Sequence, residues 1–237
     1  MIIFQYHSQL IDRYPNLVGG VILARDVRNA ASPPGLREDF LGEQQATLAR
    51  LENVPLSSLK SIAAWRQAFR AFGVKPTKYR SACEALLRRL TKQGELPSIN
   101  ALVDIANLVS IRYALPVAAF DIGALQGSVT VRFAQGTERY TPLGQSEMEH
   151  PKPGEVIFSD DSDLVIARRW CWRQSAESAA QKDSTNILIT IEAHHAGGRS
   201  DVEAGLDDLR SLLEQHTGGE ITSSVLSSEL PQFIVDD

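Results

Sequence analysis

Cysteine is scarce in this sequence: Cys83 and Cys171 are its only two among 237 residues. Two isolated thiols exclude a disulfide framework and a cysteine-rich metal site, and they read as the reduced thiols of a cytoplasmic protein. No surrounding motif marks either as a nucleophile. Long apolar runs are also missing. No window approaches 18 apolar residues, so no membrane span is expected. The opening MIIFQYHSQL lacks the basic segment and apolar stretch of a secretion signal. There is no internal repeat and no low-complexity segment. DSTN and HH are neither a nucleophile elbow nor a metal motif. His194 and His195 fall on opposite faces of a strand end, where they cannot readily chelate one ion, so neither metal nor cofactor is expected.

What is present suffices for one sizeable core: 43% of residues are hydrophobic. The net charge of −5 argues weakly against a nucleic-acid partner, but the charges are segregated. Nine bases lie between Lys60 and Lys92 against one acid, Glu84, whereas Arg210 is the only Lys or Arg from Ser200 onward. Two readings stand: two solvated faces of opposite sign, or a basic patch for a polyanion beside an acidic tail.

Residues 2–6 and 17–25 read as strands around YPN, and NAASPPGL as a loop. Helices are expected over 38–52, over 57–71 with Ser57 or Ser58 as cap, and over 81–92. A further helix follows LPS, with Ser98 as its cap. Then the pattern turns to short β-type runs, SVTVRFA, EVIFSD, DLVIARRW and NILITIEAHH, before a last helix over 201–216. Helices first and strands later imply an α+β fold with a largely antiparallel central sheet flanked by helices. The tail SSVLSSELPQF has no clear assignment.

Two polar anomalies stand out. In LPSINALVDIANLVSIRYALPVAAFD, Asn100, Asp104 and Asn107 recur at i, i+4 and i+7, one stripe of an otherwise apolar helix. Short polar groups on a buried helix cost about 1–3 kcal/mol each when left unpaired, so each needs a partner. In ILITIEAH, Ile187, Ile189 and Ile191 share one face while Leu188, Thr190, Glu192 and His194 share the other. Glu192 is then either a solvent-facing carboxylate or part of a cavity with Thr190.

The stretch INALVDIANLVSIRYALPVAAFDIGALQGSVTVRFAQGTERYTPLG closely resembles the B3/B4 editing domain of the bacterial phenylalanyl-tRNA synthetase β chain. LVDIAN, LPVAAFD and VTVRFA carry the likeness. AWRQAFRAFGVKPTKYRSACEALLRR and RRWCWRQS resemble free-standing proteins built on that domain. The likeness spans roughly residues 57–195, taken as the core of a single domain covering 1–237, with an extension over 1–56 and a helix and tail over 196–237. No aminoacylation motif is visible. The resemblance implies a trans-editing factor that hydrolyses mischarged aminoacyl-tRNA in the cytoplasm, with aminoacyl-tRNA as partner and no membrane.

Residue by residue, Asn107 matches the family's asparagine and Glu192 its pocket-lining strand glutamate, so both are the implied catalytic residues. Ala106 stands where the family has threonine and Ala118 where it has histidine. With Thr190 they edge the implied substrate pocket, and the family's preference for tyrosine does not carry over. Arg88, Arg89 and Lys92 are the implied tRNA contacts. Asp104 is expected to tie its helix to neighbouring backbone, Asn107 to face the cavity, and Asn100 to cap a turn or meet the loop Ala119–Asp121. An activated ester needs only a positioned water and a stabilised oxyanion. Glu192 would read the α-amine or a side-chain polar group, or orient water. Two rivals remain: a module that binds tRNA or an amino-acid-like ligand without hydrolysis, favoured by Ala106 and Ala118, and a protein-interaction domain using Trp65, Trp170 and Trp172.

Overall fold

A computed structural model describes residues 1–236. Its strands are β1 (Ile2–Tyr6), β2 (Val18–Arg25), β3 (Val117–Asp121), β4 (Val129–Phe133), β5 (Val156–Ser159), β6 (Val165–Arg168), β7 (Arg173–Gln174), β8 (Ile187–Ala193), β9 (Glu220–Leu226) and β10 (Gln232–Val235). Its helices are α1 (Ser8–Arg13), α2 (Pro34–Arg50), α3 (Lys60–Ala71), α4 (Ala82–Gln93), α5 (Ala101–Tyr113) and α6 (Gly198–His216). The fold is α+β with two sheets rather than the one expected: a six-stranded sheet in the order β10-β1-β4-β5-β6-β7 and a four-stranded sheet in the order β3-β8-β2-β9. The β1–β4 pairing is parallel and the other pairings between these strands are antiparallel.

The alternation of β8 explains the layering. Ile187, Ile189 and Ile191 pack into the core shared with α2, α4, α5 and α6, whereas Leu188 packs into the core between the sheets. Strand β2 divides the same way, with Ile22 and Ala24 toward the helices and Val21 and Leu23 toward the second sheet. A strand buried on both faces stabilises both layers, at about 1.5–3 kcal/mol per large apolar side chain. Gly20 lets α6 approach β2: a Cβ there would stand 2.7 Å from Ile191 Cγ2 and 3.0 Å from Leu206 Cδ1.

Residues 1–56 contribute β1, between β10 and β4, and β2, between β8 and β9. The unassigned tail supplies β9 and β10. Two helix starts differ from expectation. Ser58 does not cap α3; its hydroxyl donates to Pro55 O within a 3-10 turn (Leu56–Ser58), and Leu59 precedes α3 with no side-chain bond. Ser98 does not cap α5, because Asn100 does, accepting from Val103 N at 3.0 Å. Strand β6 ends at Arg168, where Arg169 (φ 48°) and Trp170 (φ 61°) turn the chain through two successive left-handed residues. Each costs roughly 1–2 kcal/mol without glycine, so surrounding contacts must hold this turn. No helix among the described residues is long and apolar enough to cross a membrane.

Candidate functional site

A cleft of about 440 Å³ opens where α5, β3, β8 and the Arg169–Gln174 turn meet. The polar stripe of α5 divides its labour around it. Asp104 is fully buried and accepts from Ile99 N at 2.9 Å, from Ser32 Oγ at 2.5 Å and from the Ser98 hydroxyl, so it ties the helix start to both loops before it. Asn100 caps the helix and donates from Nδ2 to Ala180 O at 3.3 Å; its partner is therefore not the Ala119–Asp121 segment. Asn107, one turn further, lines the cleft, and its half-buried amide has no hydrogen-bond partner among the described residues.

Strand pairing brings the rest together. Ala118 of β3 lies directly opposite Thr190 of β8, and Glu192 follows on the same face. Ala106, Asn107, Ala118, Thr190 and Glu192 all line the cleft. Thr190 makes no side-chain hydrogen bond among the described residues. Glu192 is 2% exposed, so the open-face reading of this carboxylate is corrected: β8 has a sheet strand on either side and a packed layer on each face.

Its carboxylate has two fixed donors. Tyr6 Oη donates to Oε1 at 2.9 Å, and Trp170 Nε1 lies 3.2 Å from Oε1 and 3.1 Å from Oε2. Oε1 is thereby saturated, while Oε2 keeps acceptor capacity for a ligand. Burial pushes the Glu192 carboxyl up to about 7, although the bonds from Trp170 and Tyr6 act in the other direction. Opposite Glu192, Gly19 makes room: a Cβ there would lie 1.9 Å from Tyr6 Oη.

The remaining candidates lie elsewhere. Arg88, Arg89 and Lys92 are exposed on α4 and do not line the cleft, although Ala82 at the start of that helix does. Arg89 Nε donates to Gln93 Oε1 at 2.8 Å. Within the same basic stretch, Glu84 takes up Arg66 at 2.6 Å and Arg80 at 3.6 Å. Trp65 and Trp170 are core residues, 1% and 0% exposed, which removes them from any protein-interaction surface. Both stand edge-on to His194, at centroid separations of 4.5 and 4.7 Å. Burial and then the neighbouring His195 lower His194 to about 3, so its ring is neutral. His195 turns away to Asp201 at 2.8 Å. Cys171 lines the cleft, but burial raises its thiol well above the ordinary range, which leaves it a poor nucleophile.

Sequence reasoning missed Tyr6 and the cleft mouth. There, Arg169 is 7% exposed and its guanidinium lies 4.0 Å from the Tyr79 ring centre and 4.4 Å from that of Trp172. The sign available was the density of arginine and aromatic residues in RRWCWR and KYR. Among the described residues, no group of three or more His, Cys, Asp or Glu side chains is arranged to hold a metal.

The chain shares 32% identity over 94 residues with the phenylalanine–tRNA ligase beta subunit of Shewanella oneidensis, covering 40% of this chain and 12% of that protein. With the corresponding subunit of Fusobacterium nucleatum it shares 34% over 118 residues, 50% of this chain and 14% of that one. It thus matches a small part of the length of these relatives. An N-terminal fragment of the phenylalanyl-tRNA synthetase beta subunit from Pyrococcus horikoshii aligns structurally with a TM-score of 0.46 at 13% identity, covering 93% of this chain and 50% of the fragment. The sequence model of the B3/4 domain matches residues 64–211, more than half of the chain and all of α5, β3 and β8. The chain belongs to the B3/4 domain family.

Proposed function

We propose that this protein hydrolyses mischarged aminoacyl-tRNA in trans, with the aminoacyl group held in the cleft between α5 and β8. One observation carries the reading: three polar groups with unused hydrogen-bonding capacity, the Asn107 amide, the Thr190 hydroxyl and Glu192 Oε2, border a single, largely apolar cleft. Apolar walls with a few unpaired polar groups suit a ligand with an apolar side chain and a polar backbone end. Glu192 is the one acidic residue lining the cleft, and it suits the α-ammonium group or the attacking water. Asn107 suits the carbonyl oxygen on which negative charge develops. Ala118 and Ala106 leave the cleft wide and weakly selective, so more than one aminoacyl group is accepted. The exposed Arg88, Arg89 and Lys92 suit the tRNA backbone, and the site of action is the cytoplasm.

The second reading, ligand binding without hydrolysis, draws on the two fixed donors of Glu192, which leave only the remaining acceptor capacity of Oε2 for both recognition and proton transfer. Incubation with a panel of charged tRNAs, counting released amino acid, tests the proposal. Release above the spontaneous rate that disappears in Asn107→Ala supports hydrolysis. Saturable binding of charged tRNA without release supports the second reading.

A further inference from the structure

The charges around the cleft are segregated. Its one acidic residue, Glu192, is buried in β8, whereas the cationic residues lining it, Arg173 and Lys182, are exposed. Neither forms an ion pair among the described residues. Glu177 and Asp183 belong to the same stretch of chain but do not line the cleft.

Arg173 is also held in place. Its guanidinium lies 4.8 Å from the Trp172 ring centre. Trp172 in turn meets Tyr79 edge-on at 5.0 Å, and Arg169 lies against both rings. Lys78 extends the array, 5.3 Å from the Tyr79 ring centre. The left-handed backbone at Arg169 and Trp170 sends Trp170 to Glu192 and leaves Trp172 and Arg173 at the rim. A strained turn and an almost buried Arg169, paired with Glu155 at 3.5 Å and set between two rings, support an unpaired arginine beyond them, so the charge at the rim is held in place rather than scattered over the surface.

We propose that this rim, through Arg173 and Lys182, binds the 5′-phosphate of a ribonucleotide whose 3′-acylated end occupies the cleft. The inference rests on the aminoacyl-tRNA reading and adds the group that fixes the ligand's orientation. In such a ligand the ammonium group and the phosphate sit at opposite ends, matching a buried carboxyl and a cationic mouth. Trp172 has its ring held by Arg169 and Arg173, so its part is to position Arg173.

The test uses non-hydrolysable amide analogues in which phenylalanine is joined to 3′-amino-3′-deoxyadenosine, with and without a 5′-phosphate, together with AMP. Calorimetric titration of the full chain is expected to show the phosphate tightening binding at least about tenfold. In the double variant Arg173→Gln/Lys182→Gln that gain disappears, while affinity for the unphosphorylated analogue stays unchanged. Both positions are exposed, so the fold is retained. Equal wild-type affinity for the two analogues overturns the rim assignment and leaves the cleft reading intact. If neither analogue binds, the cleft reading falls. The rim then stands only if AMP binds the wild type and not the double variant, and it is overturned if AMP binds neither or both alike.

Discussion

Tyr6 and Glu192 are 186 positions apart in the chain, yet the Tyr6 hydroxyl donates to the Glu192 carboxylate across 2.9 Å. The first strand of the molecule therefore reaches the floor of the cleft.

Glu192 makes stability depend on pH. Its carboxyl is raised to about 7 from an ordinary 4.5, chiefly by burial. The folded state thus holds the proton more tightly than the unfolded chain. The stability this contributes is fully present below about 4.5 and is lost as pH rises through about 7, a difference of roughly 3 kcal/mol. Glu192→Gln is expected to flatten this part of the profile, read as Tm from pH 4 to 8. It is also expected to slow deacylation at least about tenfold, or ~1.4 kcal/mol. A profile as steep in the variant as in the wild type would assign the dependence to another group.

Gly19→Ala acts on the same contact from behind. Its Cβ would overlap Tyr6 Oη, so the hydroxyl must leave Glu192. Removing a donor from the carboxylate raises Glu192 further, and any limb of the pH–rate profile that reports this group moves to higher pH. Tyr6→Phe should shift the limb in the same direction with a smaller loss of Tm, since it removes the bond without the overlap. Unmoved limbs in both variants would detach Tyr6 from the chemistry.

Asp104→Ala removes the acceptor of one buried donor, the Ser32 hydroxyl, and of two donors on exposed residues, the Ser98 hydroxyl and the Ile99 amide. Water can reach the two exposed donors, so the cost is that of one buried group left unpaired, and a loss of about 1–3 kcal/mol is expected in urea titration. An unchanged midpoint would mean that water replaces the carboxylate without cost.

Arg88→Glu/Arg89→Glu separates the polynucleotide from the cleft. Both side chains are exposed and outside the cleft lining, so turnover of a short aminoacyl ester stays at the wild-type rate. The apparent KM for charged tRNA rises several-fold, and the salt dependence of binding becomes shallower. Equal losses on both substrates would indicate damage to the fold.

The local rules were legible and the long-range ones were not. Asn100, Asp104 and Asn107 share a stripe because helical period alone places them there, and the alternation of β8 sorts its isoleucines from Leu188 by strand period alone. Which neighbours those faces meet depends on pairings such as Ala118 with Thr190, set by strand register across some seventy residues of chain, and no local pattern encodes it. Choosing Ser98 over Asn100 as cap failed because both residues cap well; the backbone selects between them, and the Ser98 hydroxyl is drawn to Asp104 instead. β9 escaped notice because EITSSVL is largely half-exposed at a sheet edge and lacks the alternation of a covered strand. The rim joins Tyr79 to Arg169 and Trp172 by cation–ring contacts, which follow no period.

The strand order also constrains when the molecule takes shape during synthesis. β2 leaves the ribosome early but pairs with β8 and β9, and β1 pairs with β10 at residues 232–235. The first quarter of the chain must wait for the last before either sheet gains its full set of partners. Contacts of such long sequence separation slow folding and leave strand edges open meanwhile. Nascent chains halted near residue 200 are therefore expected to be protease-sensitive and dependent on chaperones, and protection should arrive abruptly once β9 and β10 have emerged.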